Sequence, residues 1–308
     1  MAEKKAVIDI GTNSIKFCLA EAGGKSSYGY TILQDANDIV RLGEGLKDTQ
    51  RIGEEALERN AQSVANFAKI AKEAGADEIA VVGTMALRIA KNTADFQARV
   101  WELAGLEVRV IPGEEEAQLS YLAVVKGIEG ASGSKLMTMD TGGGSTEFVF
   151  GNAGKLERKF SLNIGAVRFT EQYLSEMPVS PEQLEAADKA IHDELAQGGV
   201  EGPVPFLVGR GGTVTSMAAV KHKMVTYDPD VIQGSSLSEA DVASQIADYA
   251  AKTLDERKAI AGLQPKRADV ILAGALIVKN VLQITGVTQL IVSDRGLRHG
   301  LLYELFHK

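Results

Sequence analysis

Two acidic residues flank a run of three glycines near the middle of the chain. Asp140 ends an apolar run, Gly142 to Gly144 follow, and Glu147 begins the next apolar run. Consecutive glycines can adopt backbone angles closed to other residues, so successive N–H groups can face an anion. The carboxylates suit Mg²⁺, which would neutralise a phosphate seated on the glycines. A glycine-rich hairpin without a ligand is the alternative interpretation, and this motif alone leaves both open.

A similar pattern occurs near the N-terminus. Asp9 ends the apolar run Ala6 to Ile8, Gly11 follows, and Thr12 to Ser14 lead into a second apolar run. Strand, acid, glycine, hydroxyls and strand therefore occur twice, about half a chain apart. Unless the two turns are a coincidence, this spacing predicts two related halves, each beginning with a β-hairpin whose turn faces phosphate.

Charged side chains follow two further predicted strands. Arg88 lies about one turn into a helix predicted to open at Thr84, directly after the strand Ile79 to Gly83, although a surface salt bridge is the alternative. Glu114 to Glu116 begin the helix that follows the strand Val108 to Ile111. Helix capping by the macrodipole would explain these acids. Their location at the same sheet edge as Asp9 also allows one of them to orient a water molecule.

Composition limits the classes of function. The chain has 308 residues, 45% of them hydrophobic, which is enough for two domains with separate cores. Its net charge of −8 argues against general binding to nucleic acid. No segment approaches the roughly 20 apolar residues of a membrane helix, so we expect a cytoplasmic protein with no membrane partner. The single cysteine, Cys18, excludes an internal disulfide and suggests a buried thiol.

The remaining elements repeat the order of the first half. A third strand is predicted from Tyr28 to Leu33, and the polar segment from Asp35 to Thr49 is predicted to be a loop. In the second half, Gly209 to Thr213 form another glycine-rich turn that enters a helix. A helix starting near Gly296 ends the chain.

The duplicated order resembles the actin-like ATPase fold shared by sugar kinases, acetate kinase and actin. Within that fold the chain most resembles the exopolyphosphatase/guanosine pentaphosphate phosphohydrolase (Ppx/GppA) family. The matching segments are Asp9 to Ser14, Thr84 to Asn92, Ile111 to Ala117, Asp140 to Glu147, Gly209 to Thr213, Arg267 to Ile271 and Ser293 to Gly300. The resemblance implies an α/β protein with two ribonuclease-H-like domains, 1–127 and 128–308, an interdomain cleft, and a final helix, about 296–308, that packs back on the first domain.

The resemblance also implies roles for individual residues. Glu116 would orient or deprotonate the attacking water, with Glu114 and Glu115 left open as holders of that role. Arg88 would bind the terminal phosphate. Mg²⁺ or Mn²⁺ would be held by Asp140 and Glu147, with Asp9 nearby. The implied substrate-binding residues are Asn13, Ser14, Gly143, Gly144, Ser145, Gly212, Thr213 and Arg267.

The implied activity is Mg²⁺-dependent release of terminal phosphate from linear polyphosphate. Removal of the 5′ γ-phosphate from guanosine pentaphosphate is the nearest alternative, followed by an ATP-dependent kinase and by a non-catalytic sensor of polyphosphate or alarmone. A homodimer is left open. Long polyphosphate would need a basic track, for which the candidates in the second half are Arg168, Arg210, Lys221, Lys223, Lys266 and Arg267.

Overall fold

The chain forms two units, each built on its own β-sheet. A computed structural model describes residues 2–24 and 28–308, with the side chains of residues 47 and 48 outside the description. Unit 1 comprises Met1–Ala123 and Gly296–Lys308, and unit 2 comprises Val124–Arg295. The last helix of the chain therefore belongs to the first unit.

The sheet of unit 1 has five strands in the order β3-β2-β1-β4-β5. The strands are β1 (Lys4–Ile10), β2 (Ile15–Ala22), β3 (Tyr30–Asp38), β4 (Glu78–Gly83) and β5 (Val108–Val110). β1, β2 and β3 pair antiparallel, whereas β4 and β5 continue the sheet in parallel. β1 is buried from Lys5 to Ile10, as expected of a central strand covered on both faces.

The described residues of unit 1 form six helices. They are α1 (Leu46–Thr49), α2 (Glu54–Glu73), α3 (Met85–Ile89), α4 (Thr93–Ala104), α5 (Gly113–Gly127), which continues into unit 2, and the final helix α13 (Leu297–Phe306). The helix predicted to open at Thr84 forms as α3, which ends at Ile89 before the separate helix α4 begins. The buried Asn92 side chain accepts from the N–H of Ile52 at 2.8 Å and donates to its carbonyl at 3.0 Å. These two bonds hold Asn92 outside a continuous helix.

The final helix is fixed to the sheet by both apolar and charged contacts. Leu301 and Leu302 pack with Val7, and the Lys5 ammonium donates to the Leu305 carbonyl at 2.7 Å. Arg298 donates to both carboxylate oxygens of Asp35 on β3, at 2.9 and 3.0 Å.

His299 completes this anchor between α13 and β3. Its Nε2 lies 3.1 Å from Asp35 Oδ2, and its Nδ1 accepts from the Gly296 N–H at 3.2 Å. Because the Gly296 N–H can only donate, Nδ1 carries no proton and Nε2–H is the donor to Asp35. The neutral His299 side chain thus accepts a hydrogen bond at the start of α13 and donates one to Asp35 on β3.

The predicted loop from Asp35 to Thr49 is wrong at both ends. β3 continues to Asp38, and Leu46–Thr49 form the short helix α1. β3 is an edge strand that pairs with β2 on one side along its length, while polar side chains such as Gln34 and Asn37 face solvent. Because these polar residues break the apolar alternation typical of a strand, the sequence pattern does not predict the second half of β3.

The sheet of unit 2 has six strands in the order β10-β11-β9-β6-β7-β8. The strands are β6 (Lys135–Thr141), β7 (Thr146–Asn152), β8 (Lys155–Leu162), β9 (Leu207–Arg210), β10 (Ser236–Ser238) and β11 (Gln289–Ser293). β6, β7 and β8 pair antiparallel, and β9 and β11 extend the sheet in parallel. Unit 2 therefore repeats the strand plan of unit 1 and adds the antiparallel edge strand β10.

Helices cover the sheet of unit 2. They are α6 (Ala166–Tyr173), α7 (Pro181–Gln197), α8 (Gly211–Lys221), α9 (Pro229–Ile232), α10 (Glu239–Ala251), α11 (Leu254–Lys258) and α12 (Ile271–Thr285), with 3₁₀ turns at Ala131–Gly133 and Pro265–Arg267. α12 is apolar on nearly all sides and packs against α6, α7, α8 and α10, as expected of a helix in the centre of a core. Within the described ranges, no helix combines the length and apolarity needed to cross a bilayer.

Candidate active site

The two acid–glycine turns have the same backbone hydrogen bond. In unit 2 the Gly142 N–H donates to the Ser145 carbonyl at 2.8 Å, and in unit 1 the Gly11 N–H donates to the Ser14 carbonyl at 3.0 Å. Each bond closes the tight turn between two antiparallel strands, β6–β7 and β1–β2. The repetition seen in the sequence is thus a repetition of local backbone structure.

In the unit 2 turn, two backbone N–H groups remain available to a ligand. The N–H groups of Ala166 and Val167, at the start of α6, donate to the carbonyls of Gly142 and Gly143 at 3.0 and 2.9 Å. Across the described residues, the N–H groups of Gly143 and Gly144 donate to no acceptor. Adjacent unpaired N–H groups are what an anion-binding turn requires.

Close packing, not an unusual backbone angle, explains Gly143 in this turn. None of Gly142 to Gly144 has a positive φ, so the expectation that they use angles closed to other residues is wrong. A Cβ at Gly143 would lie 3.0 Å from the Val167 side chain, and one at Gly165 would lie 2.3 Å from the Gly143 carbonyl oxygen. A Cβ at Gly144 would meet nothing within 4 Å, which leaves that side open to a ligand.

Asp140 and Glu147 are direct cross-strand partners on β6 and β7. Arg210 Nε, at the end of β9, donates to Asp140 Oδ2 at 2.8 Å, and Arg210 Nη2 lies 2.8 Å from the same oxygen in an ion pair. The hydroxyls of Ser145 and Ser161 donate to Glu147 Oε1 at 2.6 and 2.9 Å. One oxygen of each carboxylate is therefore held in place.

The other two carboxylate oxygens suit a divalent cation. Asp140 Oδ1 and Glu147 Oε2 accept no hydrogen bond from any residue that the structure describes. Two oriented carboxylates with one unengaged oxygen each are a donor set that Mg²⁺ or Mn²⁺ accepts. The residues present in unit 2 thus fit the predicted ion.

The start of α8 packs against the same acid. Gly211 has φ +84°, and a Cβ there would lie 2.1 Å from Asp140 Oδ1. The Thr213 hydroxyl donates to the Thr141 carbonyl at 3.3 Å. Because the first N–H groups of a helix lack intrahelical partners, α8 offers donors close to Asp140.

Arg267 lies over the first turn of α8. A Cβ at Gly212 would lie 2.0 Å from Arg267 Nη2, so only glycine allows this approach. In the part of the chain that the structure describes, the guanidinium forms no ion pair or hydrogen bond, and burial lowers its pKa. An arginine this poorly hydrated remains charged and is suited to a phosphate.

In unit 1, backbone hydrogen bonds from the segment after β3 fix the corresponding turn. Asp9 lies on β1 with 5% of its surface exposed. The Asn13 carbonyl accepts from the Arg41 N–H at 2.9 Å, and the Thr12 carbonyl accepts from the Gly43 N–H at 2.8 Å. The segment after β3 therefore fixes the turn that carries Asn13 and Ser14.

Two residues predicted to act in catalysis form an ion pair. Arg88 Nη1 donates to Glu116 Oε2 at 2.8 Å and to the Ile111 carbonyl at 2.9 Å. Both side chains keep about a third of their surface exposed. Glu115 instead pairs with Arg109 on β5. Glu115 and Glu116 thus have different cationic partners, and Glu116 is bonded to Arg88.

Sequence reasoning missed several partners of the predicted residues. Arg109, Ser161 and Arg210 contact Glu115, Glu147 and Asp140 respectively. From the sequence, Arg210 is a candidate only for the basic track. Its place beside Asp140 follows from the parallel pairing of β6 with β9, which puts the two residues in register.

Ion pairs also occupy part of the predicted basic track. Arg168 pairs with Glu194, Lys221 with Asp241, and Arg210 with Asp140. Three of the six candidate cations are therefore already neutralised within unit 2.

Comparisons with known proteins identify relatives along almost the whole chain. The sequence model of the Ppx/GppA phosphatase family matches residues 20–308. Exopolyphosphatase 2 of Mycobacterium tuberculosis is 32% identical, over 97% of this chain and 98% of that protein. The bifunctional 3-dehydroquinate synthase/phosphatase of Fusobacterium nucleatum is 31% identical over 97% of this chain, which spans 46% of that relative's length.

Solved structures lead to the same family. The crystal structure of the Aquifex aeolicus Ppx/GppA phosphatase, type II variant, matches with a TM-score of 0.89 and 33% identity, covering 98% of this chain and 99% of that one. An exopolyphosphatase from Cytophaga hutchinsonii matches with a TM-score of 0.77 and 25% identity, covering 99% and 98%. The predicted fold class, α/β with two ribonuclease-H-like domains of the actin-like ATPase superfamily, is confirmed by these matches together with the two sheet orders.

Proposed function

Because the chain belongs to the Ppx/GppA phosphatase family, we propose that it hydrolyses the terminal phosphoanhydride of linear inorganic polyphosphate and releases orthophosphate. The observation that carries this proposal is the Arg88–Glu116 pair. It joins an anion-binding cation to a carboxylate able to accept a proton from water. The same chemistry on the 5′ γ-phosphate of guanosine pentaphosphate is the second candidate.

Glu116 is the proposed general base. Its bond to Arg88 holds the carboxylate next to the cation that would bind the terminal phosphate. Glu115 is held by Arg109 and lacks such a neighbour. A positioned general base typically contributes about 10²–10⁴-fold to the rate.

Unit 2 supplies the proposed phosphate contacts. The unpaired N–H groups of Gly143 and Gly144, the first turn of α8 and the Arg267 guanidinium offer donors without competing acceptors in the described ranges. Ser145, Gly212 and Thr213 complete this set, and Asn13 and Ser14 are the corresponding proposal for unit 1. That both sets act on one substrate, with Asp9 near the ion, remains an expectation from the family resemblance.

Asp140 and Glu147 would hold the divalent cation through their unengaged oxygens. Bound there, Mg²⁺ or Mn²⁺ would neutralise charge on the phosphate oxygens. Arg210, Ser145 and Ser161 fix the other oxygens of the two acids, as partners around a metal site commonly do.

The reaction needs only groups already described and a water molecule. Glu116 accepts a proton while the water oxygen bonds to the terminal phosphorus. The bridging P–O bond on the opposite side breaks, and the shortened chain leaves with the bridging oxygen. Arg88 and the N–H groups of the glycine turn stabilise charge on the oxygens of the transferred phosphoryl group.

Phosphate release from tripolyphosphate, long-chain polyphosphate, guanosine pentaphosphate and ATP, each with Mg²⁺, tests the proposal. We expect E116Q to lose about 10²–10⁴-fold in turnover while it still binds tripolyphosphate. E115Q is the matched control, because it changes the adjacent acid and should keep most of the activity. Near-normal release by E116Q together with loss in E115Q would reverse the assignment. Phosphate release from ATP alone would refute polyphosphate and guanosine pentaphosphate as the substrates, and binding without release would favour a sensor.

The ion pairs in unit 2 support guanosine pentaphosphate as the second candidate. Arg168, Arg210 and Lys221 already have acidic partners, so a long polyanion would meet fewer unneutralised cations than the sequence suggested. A substrate with a short run of phosphates needs no extended track. Faster release from guanosine pentaphosphate than from long-chain polyphosphate would place it first.

A further inference from the structure

Arg210 is paired with one of the two acids of the proposed ion site. Its Nε donates to Asp140 Oδ2 at 2.8 Å, and its Nη2 lies 2.8 Å from the same oxygen. The two side chains keep only 20% and 30% of their surface exposed, so water screens the pair only in part. A positive charge is therefore already fixed beside a carboxylate that would bind a divalent cation.

The second acid of the site, Glu147, is held by neutral groups. Its Oε1 accepts from the hydroxyls of Ser145 and Ser161 at 2.6 and 2.9 Å. These hydroxyls orient the carboxylate without adding charge, which is how partners around a metal site usually act. The need for orientation therefore does not explain why Asp140 is held by an arginine.

The strand plan of the fold does not require the arginine either. β4 is the parallel neighbour of β1 in unit 1, as β9 is the parallel neighbour of β6 in unit 2. Asp140 on β6 is in register with Arg210, whereas Asp9 on β1 is in register with the buried Val82. The same strand arrangement thus forms with an apolar residue opposite the acid. Arg210 is an addition to the duplicated plan, at the acid that has Glu147 as its other neighbour.

The charge of Arg210 opposes a divalent cation at the same carboxylate. A cation on Asp140 Oδ1 would share that carboxylate with the guanidinium on Oδ2, and like charges so placed repel across a partly buried site. Asp140, Glu147 and Arg210 together have one net negative charge, which attracts a doubly charged ion only weakly. Phosphate oxygens would supply the negative charge that the protein groups lack.

We propose that Arg210 is a positioning residue that keeps the affinity of the ion site for a divalent cation low without phosphate, so that the cation binds together with the substrate. The inference rests on the proposed function for Asp140 and Glu147 and adds an order of binding to it. The contacts on Oδ2 also leave Asp140 a single oxygen for the cation. Binding of the cation and of phosphate is coupled, because each supplies charge that the other needs.

Mn²⁺ binding without phosphate tests the proposal, with the loss of the electron paramagnetic resonance signal of free Mn²⁺ as the readout. We expect R210M to bind Mn²⁺ about tenfold or more tightly than the wild type, because the opposing charge is gone. R210K should stay within about threefold of the wild type, since lysine keeps the charge although not the planar fork. A purely structural role predicts the opposite sign, because loss of a partner that orients a ligand commonly weakens metal binding by about 10- to 100-fold.

Orthophosphate tests the order of binding by the same readout, because it forms only a weak complex with Mn²⁺ in solution. In the wild type we expect orthophosphate to raise the Mn²⁺ affinity of the protein about tenfold, as coupled ligands do. An unchanged affinity in the presence of orthophosphate overturns the proposed order of binding.

Three further variants locate the effect at the ion site. K189M removes the same charge from an exposed ion pair with Asp193 on α7 and should leave Mn²⁺ affinity unchanged. In the double variant E147Q/R210M the gain should be lost, because position 147 no longer supplies a charged oxygen. R210Q repeats the test if R210M does not fold. Unchanged or weaker Mn²⁺ binding by R210M or R210Q, an equal gain in R210K or K189M, or a gain that survives E147Q overturns the proposal.

Phosphate release separates this inference from the proposed function. If R210M gains Mn²⁺ affinity while the wild type releases phosphate from none of the four substrates, the hydrolase proposal fails and the role of Arg210 stands. If the wild type releases phosphate and R210M gains no Mn²⁺ affinity, the hydrolase proposal stands and the role of Arg210 fails.

Discussion

The two acid–glycine hairpins share a turn and differ in what faces Asp9 and Asp140 across the strands. In unit 2 the cross-strand partner of Asp140 is Glu147, whereas in unit 1 the partner of Asp9 is Lys16. Glycines occupy the middle of the unit 2 turn, where unit 1 has Thr12 and Asn13. The two hairpins therefore share a backbone turn. The paired acids, and the N–H groups that no side chain at the turn covers, occur in unit 2. The groups proposed for water activation, Arg88 and Glu116, occur in unit 1.

The largest effect should come from the acid that distinguishes the hairpins. We expect E147Q to lower Mg²⁺-dependent phosphate release by about 10²–10³-fold, because it removes a charged oxygen from the proposed ion site. K16Q changes the corresponding position of unit 1 and should cost less than about threefold. Release by E147Q at the wild-type rate and Mg²⁺ optimum would remove Glu147 from the ion site.

The stabilising contacts of β3 and β8, the strands next to the two hairpins, should depend differently on pH. In unit 1, Asp35 lies opposite Cys18 on β2 and is 20% exposed at its side chain. Burial alone would raise the pKa of Asp35, but the His299 hydrogen bond and the Arg298 charge outweigh it and lower the pKa to about 2. In unit 2, Phe160 behind the hairpin stacks on Phe148, with ring centroids 5.3 Å apart, and does not titrate.

A carboxylate with a lowered pKa stabilises the folded state above its unfolded pKa of about 3.9 and loses that contribution as pH falls toward 2. We expect about 2 kcal/mol of unfolding free energy from Asp35 at neutral pH, lost between about pH 4 and pH 2. Urea unfolding followed by the fluorescence of Trp101, the single tryptophan, reports on unit 1. D35N should flatten this acid dependence, and an unchanged pH profile would contradict the assignment.

A side chain at the open position of the unit 2 turn should weaken anion binding without damage to the fold. A Cβ at Gly144 meets no atom within 4 Å and covers only the side left for a ligand. We expect G144A to weaken tripolyphosphate binding about tenfold while the unfolding midpoint changes little. N13A removes the proposed side-chain contact at the corresponding position of unit 1 and should weaken the affinity less, by about threefold. Equal effects of the two variants would mean that the turns are equivalent.

The smallest effect concerns Arg267. In G212A the new methyl group occupies the place of the guanidinium, which can move because it ends a flexible side chain. We expect a loss of about three- to fivefold in tripolyphosphate affinity and an almost unchanged melting temperature. G133A, in an open turn of unit 2 where a Cβ meets nothing within 4 Å, is the matched control. Loss of stability in G212A alone would show that Arg267 is fixed more rigidly than inferred.

Local patterns were the predictable part of this molecule. An acid, a glycine and hydroxyls between two apolar runs specify a hairpin turn within a few residues, and both turns form as expected. The edge strand β3 was cut short because its polar side chains follow no apolar alternation. Its pairing with β2 is a tertiary property that this local pattern does not carry.

Pairings between distant residues could not be predicted from the sequence. Arg210 meets Asp140 across 70 residues because β6 and β9 are neighbours, and Arg88 meets Glu116 across 28. The family resemblance suggested which residues matter but not which acid Arg88 bonds. That choice depends on how α5 begins after β5, which is decided by three-dimensional packing.

Gly211 links the acid of β6 to the start of α8 in a way that constrains evolution. An L-residue at this position is disfavoured by the φ of +84° and excluded by the oxygen of Asp140 only 2.1 Å from its Cβ. A substitution of Gly211 therefore becomes easier only after Asp140 has been replaced by a residue with a shorter side chain. We therefore expect positions 140 and 211 to covary among related sequences. Sequences that lack the acid at position 140 should be the first to lack the glycine at position 211.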